Sequence, residues 1–187
     1  MTLSPRWTVG LMTGTVLDGN VDVAALRTDG ERVIELGPWA LEPYPPGTQA
    51  LLPPAMRDAA LWGFEGPEPA SFALAEDALT IAQSEAVNRF LAREGIARRD
   101  VAAIGFHGQT ILHRGAAPGR PGATRQLGAG ALMARLTGID VVFDFRSADI
   151  AAGGQGAPLA PAYHAALLAH GGIEPPAALV NLGGVGN

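Results

Sequence analysis

Apolar positions along the chain change period several times, and each change marks an element. In "RWTVGLM" (6–12) and "VDVAALR" (21–27), short runs rich in β-formers flank a Gly/Thr/Asp tip, which predicts an antiparallel hairpin. A third strand is expected at "RVIELGPWALE" (32–42). Pro43, Pro45, Pro46, Pro53 and Pro54 then punctuate a stretch read as loop around at most one or two helical turns. From Ser71 to Arg93 the period lengthens: Phe72, Ala75, Leu79, Ala82, Ala86 and Phe90 recur every three or four residues, as an amphipathic helix requires. "VAAIGFHG" reads as a buried strand, "GAGALMARLTG" as a helix closed by Gly138, and "IDVVFDF" as another buried strand, a βαβ order. A helix at "PAYHAALLAH" and a strand at "AALVNLGG" follow the Gly-rich "AAGGQGAP".

The sum is an α/β domain on a mixed five-stranded sheet with flanking helices, followed by the first strand of a second unit. The expected division is 1–175 for the domain and 176–187 for the start of the next. An apolar strand closing a chain is a poor edge, so the sequence reads as the first part of something longer.

Composition narrows the chemistry. The 187 residues carry a net charge of −5 with no block of like charge, which gives no footprint for nucleic acid or an anionic membrane surface. There is no cysteine, which removes disulfides, thiolate nucleophiles and cysteine-ligated metals. All thirteen basic residues are arginine, so a P-loop lysine, a Schiff base and a lysine general base are absent too. "MTLSPRWTVG" lacks the long apolar segment of a signal peptide, and no run approaches membrane-spanning length, so a soluble cytoplasmic protein is expected.

Three polar, Gly-bearing segments each follow a predicted strand. At "GLMTGTVLDGNVDV" the tip is either a tight turn or a phosphate cradle, in which glycines let backbone N–H groups approach an anion, hydroxyls add donors and Asp18 holds Mg²⁺ through water. At "GFHGQTILHR", His107, Gln109, Thr110 and His113 stand at a strand's C-terminal edge, where open α/β sheets place ligands. Gln and Thr offer the mixed donors and acceptors that sugar hydroxyls demand, and two histidines without a third ligand make no metal site. At "DFRSADIAAGGQGAPLAP", Asp144, Arg146 and Asp149 leave a strand, with Gly153, Gly154 and Gly156 around Gln155. A salt-bridged surface loop is the alternative there. Convergence of three such loops on one sheet favours a site.

Taken together, "GLMTGTVLDG", "GFHGQT", "DFRSADIAAGGQGAPLAPAYH" and "NLGGVGN", in that order, resemble the anhydro-N-acetylmuramic acid kinases of the hexokinase/actin-like ATPase fold. The resemblance covers essentially the whole chain. It implies the first lobe of a bilobal cytoplasmic enzyme, dimeric in the family, that uses ATP, Mg²⁺ and water to convert 1,6-anhydro-N-acetylmuramic acid to N-acetylmuramic acid 6-phosphate in peptidoglycan recycling. It assigns Thr13, Gly14, Thr15, Val16, Leu17, Asp18, Gly19 and Asn20 to the ATP-phosphate loop. His107, Gln109, Thr110, Arg146, Asp149 and Gln155 are assigned to lining or bracing the sugar side, with Arg146 facing the lactyl carboxylate. Val16 stands where the family commonly has serine, and one extra residue separates Gly19 from the second strand. The family's catalytic aspartate follows the NxGGxxN motif and therefore lies beyond Asn187, so no catalytic residue is assigned and little activity is expected of this chain alone. A non-catalytic sugar- or nucleotide-binding module, or another sugar kinase of the same fold, are the competing readings.

Overall fold

A computed structural model describes residues 4–13 and 18–180. Three strands, β1 (Arg6–Met12), β2 (Asn20–Thr28) and β3 (Val33–Pro43), form an antiparallel meander. Strands β4 (Val101–Phe106) and β7 (Val141–Phe143) add to it in parallel, giving the sheet order β3-β2-β1-β4-β7. This is the mixed five-stranded sheet that the hydrophobic pattern predicts.

Strand alternation selects the buried face. Val9 and Leu11 of β1 and Val21, Val23 and Ala25 of β2 are buried, whereas Gly10, Met12, Asp22 and Ala24 between them are exposed. The helix α2 (Ala70–Arg93) lies on the buried face, and all six apolar residues that define its period are within the core. Arg89 and Arg93 on its last turns reach the buried carboxylate of Glu42 in β3, at 3.2 and 2.7 Å.

The proline-rich stretch departs from expectation. It is a 17-residue helix, α1 (Pro46–Trp62), with Pro46 in its first turn and Pro53 and Pro54 inside it. Proline at the first turn removes no helical hydrogen bond, whereas interior proline costs about 3 kcal/mol in an isolated helix. Here Thr48, Leu52, Ala55 and Ala59 form one buried stripe, and that burial outweighs local propensity. Gly63 in the left-handed conformation closes the helix, its N–H donating to Ala59 O.

Between β4 and α3 (Gly130–Thr137) the chain inserts a two-stranded hairpin, β5 (Gln109–Arg114) and β6 (Ala123–Leu127), which the periodicity does not reveal. Two buried apolar side chains, Ile111 and Leu127, anchor it, as does Arg125, whose guanidinium pairs with Glu68 and Glu76 at 2.8 Å each. Glu76 also accepts the Gly128 N–H and Thr80 Oγ1 accepts the Ala129 N–H, so α2 caps α3 from outside. Gly138 ends α3 as expected, at φ +70°. The next strand is shorter than "IDVVFDF", and a short helix, α4 (Ser147–Ala151), precedes α5 (Pro161–His170). Residues 177–180 carry no strand, and the remainder of the expected terminal strand lies outside the described residues.

One buried polar pair ties the base of the first hairpin to the core. Tyr44 N–H donates to Gly19 O at 2.8 Å, and Gln83 Nε2 on α2 donates to the Tyr44 hydroxyl at 2.5 Å. Burial pushes that phenol well above its ordinary range. Tyr44→Phe leaves the Gln83 amide without its acceptor, so a loss of about 1–2 kcal/mol is expected in urea unfolding. A change below the error of the fit would show that Gln83 finds another partner.

Candidate functional site

The three polar loops leave the C-terminal ends of β1, β4 and β7, neighbouring strands of the sheet. Thr13, immediately after β1, is buried, and its Oγ1 donates to Gly108 O at 3.2 Å. Gly14, Thr15, Val16 and Leu17 lie outside the described residues. On the return, the exposed Asp18 carboxylate accepts the Asn20 N–H at 3.0 Å, and Asn20 Nδ2 donates to Asp18 O. Gly19 takes φ +87°, where a Cβ would meet the Gln49 amide at 3.0 Å. The β1–β2 register is unbroken from Arg6↔Thr28 to Met12↔Asp22, so the extra residue is absorbed without a bulge in that ladder. Although Asp22 is exposed, partial desolvation of its carboxyl and, after it, the nearby Asp18 carboxylate raise that carboxyl.

His107 follows β4 and is held at both nitrogens. Nδ1 lies 2.8 Å from Gly108 O, and Arg146 donates through Nη2 to Nε2 at 2.9 Å. A guanidinium has no acceptor, so Nε2 must accept and Nδ1 must carry the hydrogen. Desolvation lowers the imidazole pKa below its ordinary 6.5, the Gly108 carbonyl opposes the shift, and the Arg146 charge adds to it.

Arg146 donates through Nη1 to Gly156 O at 2.6 Å. The Gly156 N–H in turn donates to Asp149 Oδ2 at 2.7 Å, and Gly154 N–H donates to Asp149 O at 2.8 Å. Arg146 and Asp149 thus hold one residue, Gly156, by its carbonyl and its N–H, which belong to two successive peptide units. A Cβ on Gly154 would press on the Asp149 carboxylate, so a side chain there would displace the acceptor of the Gly156 N–H. Gln155 Nε2 donates to Ala116 O at 3.3 Å, which fastens the loop to the β5–β6 turn.

The remaining expected residues lie in β5. Gln109 is fully buried, its Nε2 donating to Thr110 O and its Oε1 without a partner. It borders a small pocket with Thr13, Gly19, Asn20, Tyr44, Gln49 and Leu52, between the first hairpin and the β4 loop. Thr110 Oγ1 accepts from Gln126 Nε2, and His113 Nδ1 pairs with Thr124 Oγ1 at 3.1 Å. The structure therefore brings Thr13, His107, Arg146 and Asp149 into one network and leaves His113 apart from it, on the hairpin. Gly108 is not singled out by the sequence, and Gly156 is expected there only as a glycine that admits a ligand; the carbonyls of both join the network. The signal available was a glycine directly after a strand-end histidine and a third glycine in "GGQG".

Among the described residues no cluster of three or more acidic or histidine side chains forms a metal cage, and no helix is long and apolar enough to cross a membrane.

A pH dependence follows from His107. With its folded-state pKa below the unfolded value, the unfolded chain binds the proton first, so stability falls as pH drops through about 6.5 and levels off below the folded-state value. Unfolding free energies at pH 7.5 and 5.5 should show a smaller loss for His107→Gln than for the unsubstituted chain; equal losses would contradict the assignment.

The profile of the anhydro-N-acetylmuramic acid kinase family matches residues 6–187. Among curated relatives, the anhydro-N-acetylmuramic acid kinase of Rhizobium rhizogenes is 56% identical over 185 residues, covering 99% of this chain and 50% of that protein. The Jannaschia protein named anhydro-N-acetylmuramic acid kinase 2 is 60% identical over 182 residues, covering 97% and 48%. The Brucella anthropi kinase is 57% identical over 185 residues, with 99% and 50% covered. The chain spans about half the length of the curated relatives it matches. On the strength of a match over almost its whole length, the chain belongs to the anhydro-N-acetylmuramic acid kinase family.

Proposed function

We propose that residues 1–175 form the phosphate- and sugar-facing lobe of an ATP-dependent kinase, with 176–187 opening the second lobe. The reaction assigned to the complete cleft converts 1,6-anhydro-N-acetylmuramic acid and water to N-acetylmuramic acid 6-phosphate, as a step of cytoplasmic peptidoglycan recycling by a homodimer. Water adds at the anomeric carbon and gives up a proton, the C1–O6 bond breaks with its electron pair going to O6, and O6 takes the γ-phosphoryl group from ATP with ADP as the leaving group. One observation carries the reading: the loops after β1, β4 and β7 are linked by hydrogen bonds from Thr13 through Gly108, His107 and Arg146 to Gly156. Such bracing supports a preorganised cleft edge, because phosphoryl transfer depends on positioning and electrostatic stabilisation.

In this reading the segment Thr13–Asn20 faces the ATP phosphates, and the β4 and β7 loops face the sugar. The exposed Asp18 carboxylate would then hold an Mg²⁺ ion through water, and the ion would neutralise charge developing on the phosphoryl oxygens.

Titration calorimetry of the purified chain with the anhydro sugar and with Mg·ATP, run beside a turnover assay, tests the proposal. Binding of either ligand that is lost in Asp18→Asn or in Arg146→Met, with no turnover, is the result expected. Ordinary turnover by the 187-residue chain would overturn the assignment to one lobe, and an absence of both binding and turnover would remove the ligand assignments.

A further inference from the structure

We infer that His107 is a positioning residue, held as a neutral Nδ1–H imidazole, through which the loop after β7 and the phosphate hairpin are kept in fixed register. The inference rests on the proposed roles of those two loops, but its geometry stands by itself. The imidazole is the node between two carbonyls that belong to different loops. On one side Gly108 O receives both the His107 Nδ1–H and the Thr13 hydroxyl, at 2.8 and 3.2 Å. On the other side Nε2 receives Arg146, whose second terminal nitrogen holds Gly156 O at 2.6 Å. His107 and Arg146 are 39 residues apart and Thr13 and Gly108 are 95 apart, so the chain of bonds crosses three neighbouring strand ends.

Only one protonation state completes the chain. The Nε2–H tautomer would set a donor against the Arg146 donor and leave Nδ1 facing a carbonyl lone pair. The imidazolium would satisfy Gly108 O but place its second N–H, and a positive charge, against the guanidinium. Arg146 is the charged group that bears on the ring, and burial works in the same direction. A group fixed in this way has no free nitrogen to exchange a proton with a substrate. Its contribution is to hold the Gly154–Gly156 segment and Thr13 where the sugar and the phosphates would meet.

Asp149 makes the arrangement one-sided. It holds Gly156 N–H, so loss of Arg146 frees the Gly156 carbonyl and leaves the residue on a single tether, from which its N–H opens more often. The substituted loop is therefore expected to loosen rather than to unfold.

Nitrogen-15 NMR of the 187-residue chain tests this without turnover. The expected result is a His107 ring with a protonated Nδ1 and an unprotonated Nε2 at pH 7. In Arg146→Met, the Gly156 amide should exchange about tenfold faster, and the Thr13 amide should shift as well. If Arg146→Met does not fold, Arg146→Lys is read in the same way, since one ammonium cannot span both acceptors as the fork does. An Nε2–H or doubly protonated ring at pH 7 overturns the inference. So does a Thr13 amide that stays in place while Gly156 changes, because the two loops are then independent. Because the readout is spectroscopic, an inactive enzyme leaves this result standing and bears only on the functional proposal.

Discussion

Replacing Gly108 by alanine is expected to lower the stability of the domain by roughly 2–5 kcal/mol. Two costs add. Gly108 has φ +68°, a conformation that a side chain disfavours by about 1–2 kcal/mol. A Cβ there would also stand 2.2 Å from Leu127 O and 3.0 Å from Leu127 C. Both atoms are backbone of β6, and the Leu127 side chain is fully buried, so neither can swing aside. Relief requires displacing either the β5–β6 hairpin or the Gly108 peptide, and the latter carries the carbonyl that receives Thr13 and His107. Gly66→Ala is the control: φ is +73°, yet nothing lies within 4 Å of its Cβ, so about 1 kcal/mol is expected. Urea unfolding of the two variants should separate strain from collision; equal losses would mean that β6 yields.

The second large effect concerns catalysis. In a chimera in which these residues replace the matching half of the Rhizobium rhizogenes kinase, Asp18→Asn should reduce kcat about 100-fold, the scale of one preorganised electrostatic group. The substitution isolates charge from shape. The asparagine oxygen can still accept the Asn20 N–H, so the turn survives, while the negative charge proposed to hold Mg²⁺ through water is removed. The Asp22 carboxyl, relieved of a like neighbour, should move back toward its ordinary 3.8. A coupled assay at saturating ATP, with carboxyl titration by NMR, checks both. Full kcat with the expected Asp22 shift would take Asp18 out of the metal's reach.

Much of the fold is legible in the residue pattern because most of its elements bury one face. The six apolar positions of α2 are all in the core, and the β1–β2 hairpin and Gly138 stop fall where their local chemistry places them. What escaped was decided by tertiary packing. Pro53 and Pro54 argue against a helix locally, and the burial of Leu52, Ala55 and Ala59 in the core reverses that. "ATRQL" has no apolar alternation, and its strand is held by Arg125 reaching to Glu68 and Glu76, 57 and 49 residues away. The site follows the same rule. Its residues stand out as polar groups among glycines after strands, but which groups touch was not readable. Arg146, expected to face a substrate carboxylate, has both terminal nitrogens engaged by His107 and Gly156 O.

Turnover by the same chimera is the measurement on which the account depends most directly. Joined to the second half of the Rhizobium rhizogenes relative, these 187 residues should phosphorylate 1,6-anhydro-N-acetylmuramic acid with ATP at an ordinary enzymatic rate, while the 187-residue chain alone shows little or none. A folded chimera that binds neither ligand and does not turn over, or a lone chain that does, would contradict it.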